Sequence, residues 1–131
     1  MSELGRQIRE CMSGLTQAEE GKLKARFVFP GGFVGFQGHF PGRPVLPAVC
    51  EIQAALEMVA AWNGRRIRLN EIVLAKFTAP VTCEEEVDCL CSVTMEDSQR
   101  AVVRANVARE GENVAKFRLR VTLEGEKQGC V

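Results

Sequence analysis

The chain has 131 residues, 46% of them hydrophobic, enough for one packed core and too apolar for a disordered segment. Lys plus Arg and Asp plus Glu number 17 each, so the net charge is zero. Dedicated nucleic-acid binding, which draws its affinity from excess positive charge, is set aside on that balance.

No apolar run approaches the roughly 20 residues a membrane span needs. The N-terminal MSELGRQIREC alternates charges and lacks the apolar stretch of a signal peptide. The expectation is a cytoplasmic chain forming one domain over residues 1–131, with a loose tail from about residue 126. The six cysteines are Cys11, Cys50, Cys83, Cys89, Cys91 and Cys130. They form no C-x-x-C pair, and the single histidine leaves no zinc-site spacing, so free thiols are expected and no metal.

Residues 2–15 have Leu4, Ile8 and Cys11 or Met12 on one stripe, which predicts a short amphipathic helix. A strand is expected over Lys22–Phe29, stopped by Pro30-Gly31-Gly32. The following FVGFQGHFPGRPVLP is too rich in glycine and proline for the interior of an element. The mostly apolar AVCEIQAALEMVAAWN then predicts a helix over 48–63, with Pro47 before its first turn and Gly64 just past its end. Everything after Gly64 reads as strand. Val87, Cys89, Cys91, Val93 and Met95 alternate with mostly polar neighbours, as do Phe117, Leu119, Val121 and Leu123. Turns are expected at Glu96-Asp97-Ser98 and Glu110-Gly111-Glu112.

One apolar helix and three or four long antiparallel strands predict an α+β fold, the sheet wrapped around the helix. Glu51 and Glu57 are the only charges on that helix, so the sheet should cover most of it. An edge strand left by such a sheet is commonly paired with a second copy, and a dimer is expected.

The segment GHFPGRPVLP (38–47) running into AVCEIQAALE resembles the signature of the beta-hydroxyacyl-acyl carrier protein dehydratases, hot-dog-fold enzymes. AKFTAPVTCEEEV resembles a further family strand and acidic turn, so the likeness spans about half the chain, Phe33 to Val87. The resemblance implies the hot-dog fold and removal of water from a 3-hydroxyacyl thioester. The substrate arrives on the phosphopantetheine arm of acyl carrier protein or coenzyme A, so no resident cofactor is implied.

By the same resemblance His39 is the base that takes the proton beside the thioester. A backbone N–H at the helix start, here that of Ala48, holds the thioester oxygen, and Phe40 and Gly42 belong to the substrate-binding loop. The family's acid lies fourteen residues after the histidine, where this chain has Gln53. An amide delivers no proton, and loss of a positioned acid typically costs about 10²- to 10⁴-fold in rate. The family helix commonly reads acid-Ala-x-x-Gln; here Gln53-Ala54-Ala55-Leu56-Glu57 reverses it. Residues four apart sit about 40° and about 6 Å from each other, so Glu57 should face the same way one turn deeper. Glu51, about 160° round the helix from Gln53, should not share that site.

Glu57 is thus either a substitute acid, alone or paired with Gln53, or a buried carboxylate tied to Gln53 or an arginine. The corresponding functions are a dehydratase, an acyl-binding or heterodimer partner subunit completed by an acid-bearing hot-dog chain, and a hot-dog thioesterase, against which the GHFPG loop counts. Acyl carrier protein is acidic, so Arg43, Arg65, Arg66, Arg68 and Lys76 are candidates for a basic entrance, each of them otherwise an ordinary solvated charge.

Overall fold

A computed structural model of the chain describes residues 2–36 and 45–125. His39, Phe40, Gly42 and Arg43, and the expected tail with Cys130, lie outside the described residues.

Helix α1 spans Glu3–Glu10, and the Ser2 hydroxyl caps it by accepting from Gly5 N–H at 3.0 Å. The expected helix to residue 15 is corrected here, because Met12–Glu19 forms strand β1 instead. Only Leu4 and Ile8 complete the helical stripe. Gly14, with φ +64, then bends a ribbon that pairs antiparallel with β2, Lys22–Val28. The β1–β2 register shifts twice along its length, and most of β1 is exposed. A single 3₁₀ turn follows at Val34–Phe36. Gly35 is required there, since a Cβ would fall on the Phe33 ring and 2.9 Å from the Cys50 sulfur.

Helix α2 runs Ala48–Asn63, with Pro47 at its N-cap and Gly64 in the left-handed conformation (φ 75) at its C-cap, matching the expected bounds. Every residue from Cys50 to Val59 except Gln53 is buried, as expected for a helix apolar all round. Strands β3 (Arg66–Phe77), β4 (Glu86–Met95), β5 (Arg100–Arg109) and β6 (Glu112–Glu124) complete one antiparallel sheet in the order β1-β2-β4-β5-β6-β3. This is the hot-dog architecture, an α+β fold with the sheet curved over α2.

The alternation read in β6 holds throughout, with Phe117, Leu119, Val121 and Leu123 all buried. In β4 it holds for Val87, Cys89 and Cys91 but fails at Met95, which is exposed at the end of the strand. Cys11, Cys50, Cys83, Cys89 and Cys91 are free thiols. The outer edge of β3 has no strand partner among the described residues, and Ile72, Val73, Leu74 and Phe77 on it are 38–48% exposed.

Candidate functional site

The start of α2 is fixed from behind by the turn before β4. Leu46 N–H donates to Val81 O at 2.7 Å, and Val45 bridges Thr82. That turn is itself clamped. Glu85 Oε1 accepts from Thr82 N–H at 2.7 Å, from its hydroxyl at 2.8 Å and from Arg109 at 3.0 Å. Arg109 also donates to Pro80 O at 2.6 Å. Partial burial pushes the Glu85 carboxyl up, but the Thr82 and Arg109 donors outweigh it and hold it below the usual range. The chain leaving the motif loop therefore enters α2 along a defined path. Ala48 is exposed at the first helical position, in a turn where Cys50 N–H donates to Pro47 O at 2.9 Å while the N–H of Ala48 itself has no intrahelical acceptor. A helix N-terminus of this kind can hold a developing oxyanion.

Two openings flank the helix. One, about 710 Å³, is lined by Gln53, Leu56 and Glu57 of α2, Arg9 of α1, and Arg66 and Arg68 of β3, among others. Gln53 and Glu57 share this face, as their spacing predicts. Gln53 Nε2 donates to Glu57 Oε2 at 2.9 Å, while Glu57 Oε1 accepts from Arg9 Nη2 at 2.9 Å and Nε at 3.2 Å. Both carboxylate oxygens are thus engaged as acceptors. Arg9 was not legible as a partner, because nothing in sequence brings α1 against the middle of α2. Replacing Glu57 with alanine would strand the half-buried guanidinium and the Gln53 amide. We expect Glu57→Ala to cost about 1–3 kcal/mol in a denaturant melt, and Glu57→Gln, which keeps an acceptor for Arg9, clearly less.

The second opening, about 270 Å³, lies on the other side of α2, lined by Ala48, Glu51, Val45, Leu46 and the Phe77–Pro80 segment. Glu51 is 5% exposed, and its Oε1 is buried with no hydrogen-bond partner among the described residues. Burial pushes its carboxyl up to about 7. The expectation that Glu51 and Gln53 face different ways is met. The consequence missed in sequence is that the isolated side buries a carboxyl beside a cavity. The signal was there: the positions three and four away from Glu51 are Pro47, Ala48, Ala54 and Ala55, none able to pair with a carboxylate.

Of the basic candidates, Arg65 is structural, donating to Gly125 O at 2.9 Å and Leu123 O at 2.8 Å. Arg68 lies 3.7 Å from Glu124. Arg66 lines the larger opening, and Lys76 sits exposed on β3. Among the described residues no group of three or more His, Cys, Asp or Glu could hold a metal ion, and no helix is long and apolar enough to cross a membrane.

A model of the family described as ApeI-like, ApeI dehydratase, matches residues 15–122. The chain is 31% identical over 99 residues to a 3-hydroxyacyl-[acyl-carrier-protein] dehydratase FabZ of Erythrobacter litoralis, covering 69% of this chain and 56% of that protein. It is 42% identical over 55 residues to the enzyme of the same description from Novosphingobium aromaticivorans, covering 35% of each. The chain thus spans little more than half of one curated relative and about a third of the other.

Its fold is shared with a chain of the dehydratase heterocomplex ApeI:P from Xenorhabdus doucetiae (TM-score 0.69, 15% identity, 85% of this chain and 96% of that one). It is also shared with a hypothetical thioesterase from Streptococcus pneumoniae with coenzyme A (TM-score 0.68, 7% identity, 96% and 98%).

Proposed function

This chain belongs to the ApeI-like dehydratase family, and from that premise we propose that it removes water from a 3-hydroxyacyl thioester to give the 2-enoyl thioester. The observation that carries the reading is the family match over residues 15–122, a span that includes the GHFPG segment, α2 and β2 to β5. In this reading His39 takes the C2 proton, the Ala48 N–H receives the thioester oxygen, and Phe40 and Gly42 shape the loop over the acyl chain. The acyl group comes on the phosphopantetheine arm of acyl carrier protein or coenzyme A. The thioesterase alternative has a fold neighbour behind it but gives the GHFPG loop no role.

The test is direct. Purified protein is incubated with 3-hydroxyacyl thioesters of several chain lengths, and formation of the enoyl product is followed. Turnover supports the reading, and free acid plus thiol in place of enoyl product would replace it with hydrolysis.

A second reading is favoured by Gln53 at the family's acid position and by the engagement of both Glu57 oxygens. The chain would then be a partner subunit, completed by an acid-bearing hot-dog chain in a heterocomplex. Turnover only on mixing with such a chain would favour it. Turnover by the wild type that survives Glu57→Gln would remove Glu57 as the acid in either case.

The working assembly in the main reading is a cytoplasmic homodimer of single-domain chains formed through β3. The expected result is a dimer by light scattering at micromolar concentration. Ile72→Lys/Leu74→Lys, which sets charges on an exposed apolar edge without touching the core, should give a monomer.

A further inference from the structure

We propose that Glu51 is the proton donor to the ligand's departing hydroxyl group, acting from the smaller opening at the start of α2. The inference rests on the dehydratase reading and supplies the part that Gln53 cannot. Three observations carry it. Glu51 lines a cavity whose other walls are largely apolar: Val45, Leu46, Phe77, Ala79 and Pro80. Its Oε1 is buried without a partner among the described residues, so one oxygen is uncommitted there. Ala48, whose N–H is the candidate holder of the thioester oxygen, lines the same cavity three residues earlier on the helix.

Glu57 offers none of this, since Arg9 and Gln53 occupy both of its oxygens. A buried carboxyl keeps its proton to higher pH, and Glu51, with no cation beside it among the described residues, is pushed up by burial to about 7, near the pH at which an acid catalyst is most useful. Among the described residues the titratable groups that feel its charge are thiols. Cys50, on the same helix, is pushed up to about 11 by burial and then by Glu51 itself. Cys89 of β4 is raised by its Cys91 hydrogen bond, by burial, and by the Cys91 and Glu51 charges. Neither thiol competes for the proton.

In the elimination the C2–H bond breaks and its proton goes to the base. The C2–H electron pair becomes the C2=C3 double bond. The C3–O bond breaks, and the leaving oxygen takes the Glu51 proton and departs as water. The base then releases its proton to solvent and the Glu51 carboxylate takes one up, which resets the site.

The experiment uses the full chain with 3-hydroxybutyryl-coenzyme A. Glu51→Gln, isosteric and unable to give a proton, should lower kcat about 100-fold or more while KM changes little. Wild-type kcat should fall as pH rises through about 7, and the residual rate of Glu51→Gln should lack that limb. Stability gives a readout independent of turnover. The folded protein holds this proton more tightly than the unfolded chain. The resulting stabilisation is therefore complete below about 4.5 and lost as pH rises to about 7, and Glu51→Gln should flatten that decline.

If Glu51→Gln fails to fold, Glu51→Asp decides. A lowered kcat with the pH limb retained supports the role, and an unchanged kcat overturns it. A folded Glu51→Gln protein turning over within about threefold of wild type would overturn the proton-donor role and leave the dehydratase reading standing. A wild type that forms no enoyl product overturns both.

Discussion

Replacing His39 with asparagine is expected to lower kcat for dehydration by about 10²- to 10⁴-fold and to leave KM within a few-fold of wild type. The chain contains one histidine, so no second imidazole can take over. Removing a proton from the carbon beside a thioester needs a base that is free near neutral pH, and imidazole is the side chain whose ordinary range meets that need. Asparagine keeps a similar size and can hydrogen-bond, but it takes no proton, so binding should outlast chemistry. Steady-state kinetics with a 3-hydroxyacyl thioester measure both constants. A His39→Asn protein retaining most of its kcat would show that the motif loop serves binding alone. A rise in KM with kcat intact would place the residue in ground-state recognition.

The largest expected loss of stability is at Phe117. It is 1% exposed in the middle of β6, with Ala105 opposite it on β5 and Ala75 opposite it on β3. Its ring stacks on that of Phe77, centroids 6.3 Å apart, tying the edge strand to the sheet. Phe117→Ala would leave a cavity whose cross-strand neighbours are already alanines and cannot swing in to fill it. The expected cost is about 3–5 kcal/mol, at the upper end because relaxation is blocked. Against a total of about 5–15 kcal/mol for an ordinary domain, that is a large fraction of the whole. Phe117→Leu should cost clearly less, and urea unfolding of the two variants measures the difference. Equal losses would mean the ring interaction, not the volume, is what counts there.

The sequence made α2 legible to the residue because three independent signals agree there: Pro47, a continuous apolar run, and Gly64. The β6 alternation was equally clear because one face of that strand is core and the other wet. β1 was not legible. Met12–Glu19 is short of apolar residues at period two, and its pairing with β2 is irregular, so only tertiary contact makes it a strand. The site divides in the same way. The pairing of Gln53 with Glu57 follows from helical geometry and was open to reading. Arg9 reaches Glu57 across 48 positions of sequence, and no local pattern encodes such a contact. The unpartnered state of Glu51 could be suspected from its alanine neighbours. Its burial beside Ala48 and Pro80 depends on how the turn clamped by Glu85 and Arg109 is folded back.

The two edges of the sheet are unequal, and this bears on how far edge-to-edge pairing of copies could extend. β1 ends the sheet in a bulged, twisted, mostly polar ribbon, a poor template for another strand. β3 ends it in twelve residues with an apolar, exposed stretch. A molecule with two receptive edges can add neighbours without limit and grow into fibrils. A molecule with one receptive edge spends it on its first neighbour, and growth stops there. The irregular β1 ribbon, whose first four residues were expected as the end of a helix, is suited to act as a chain terminator.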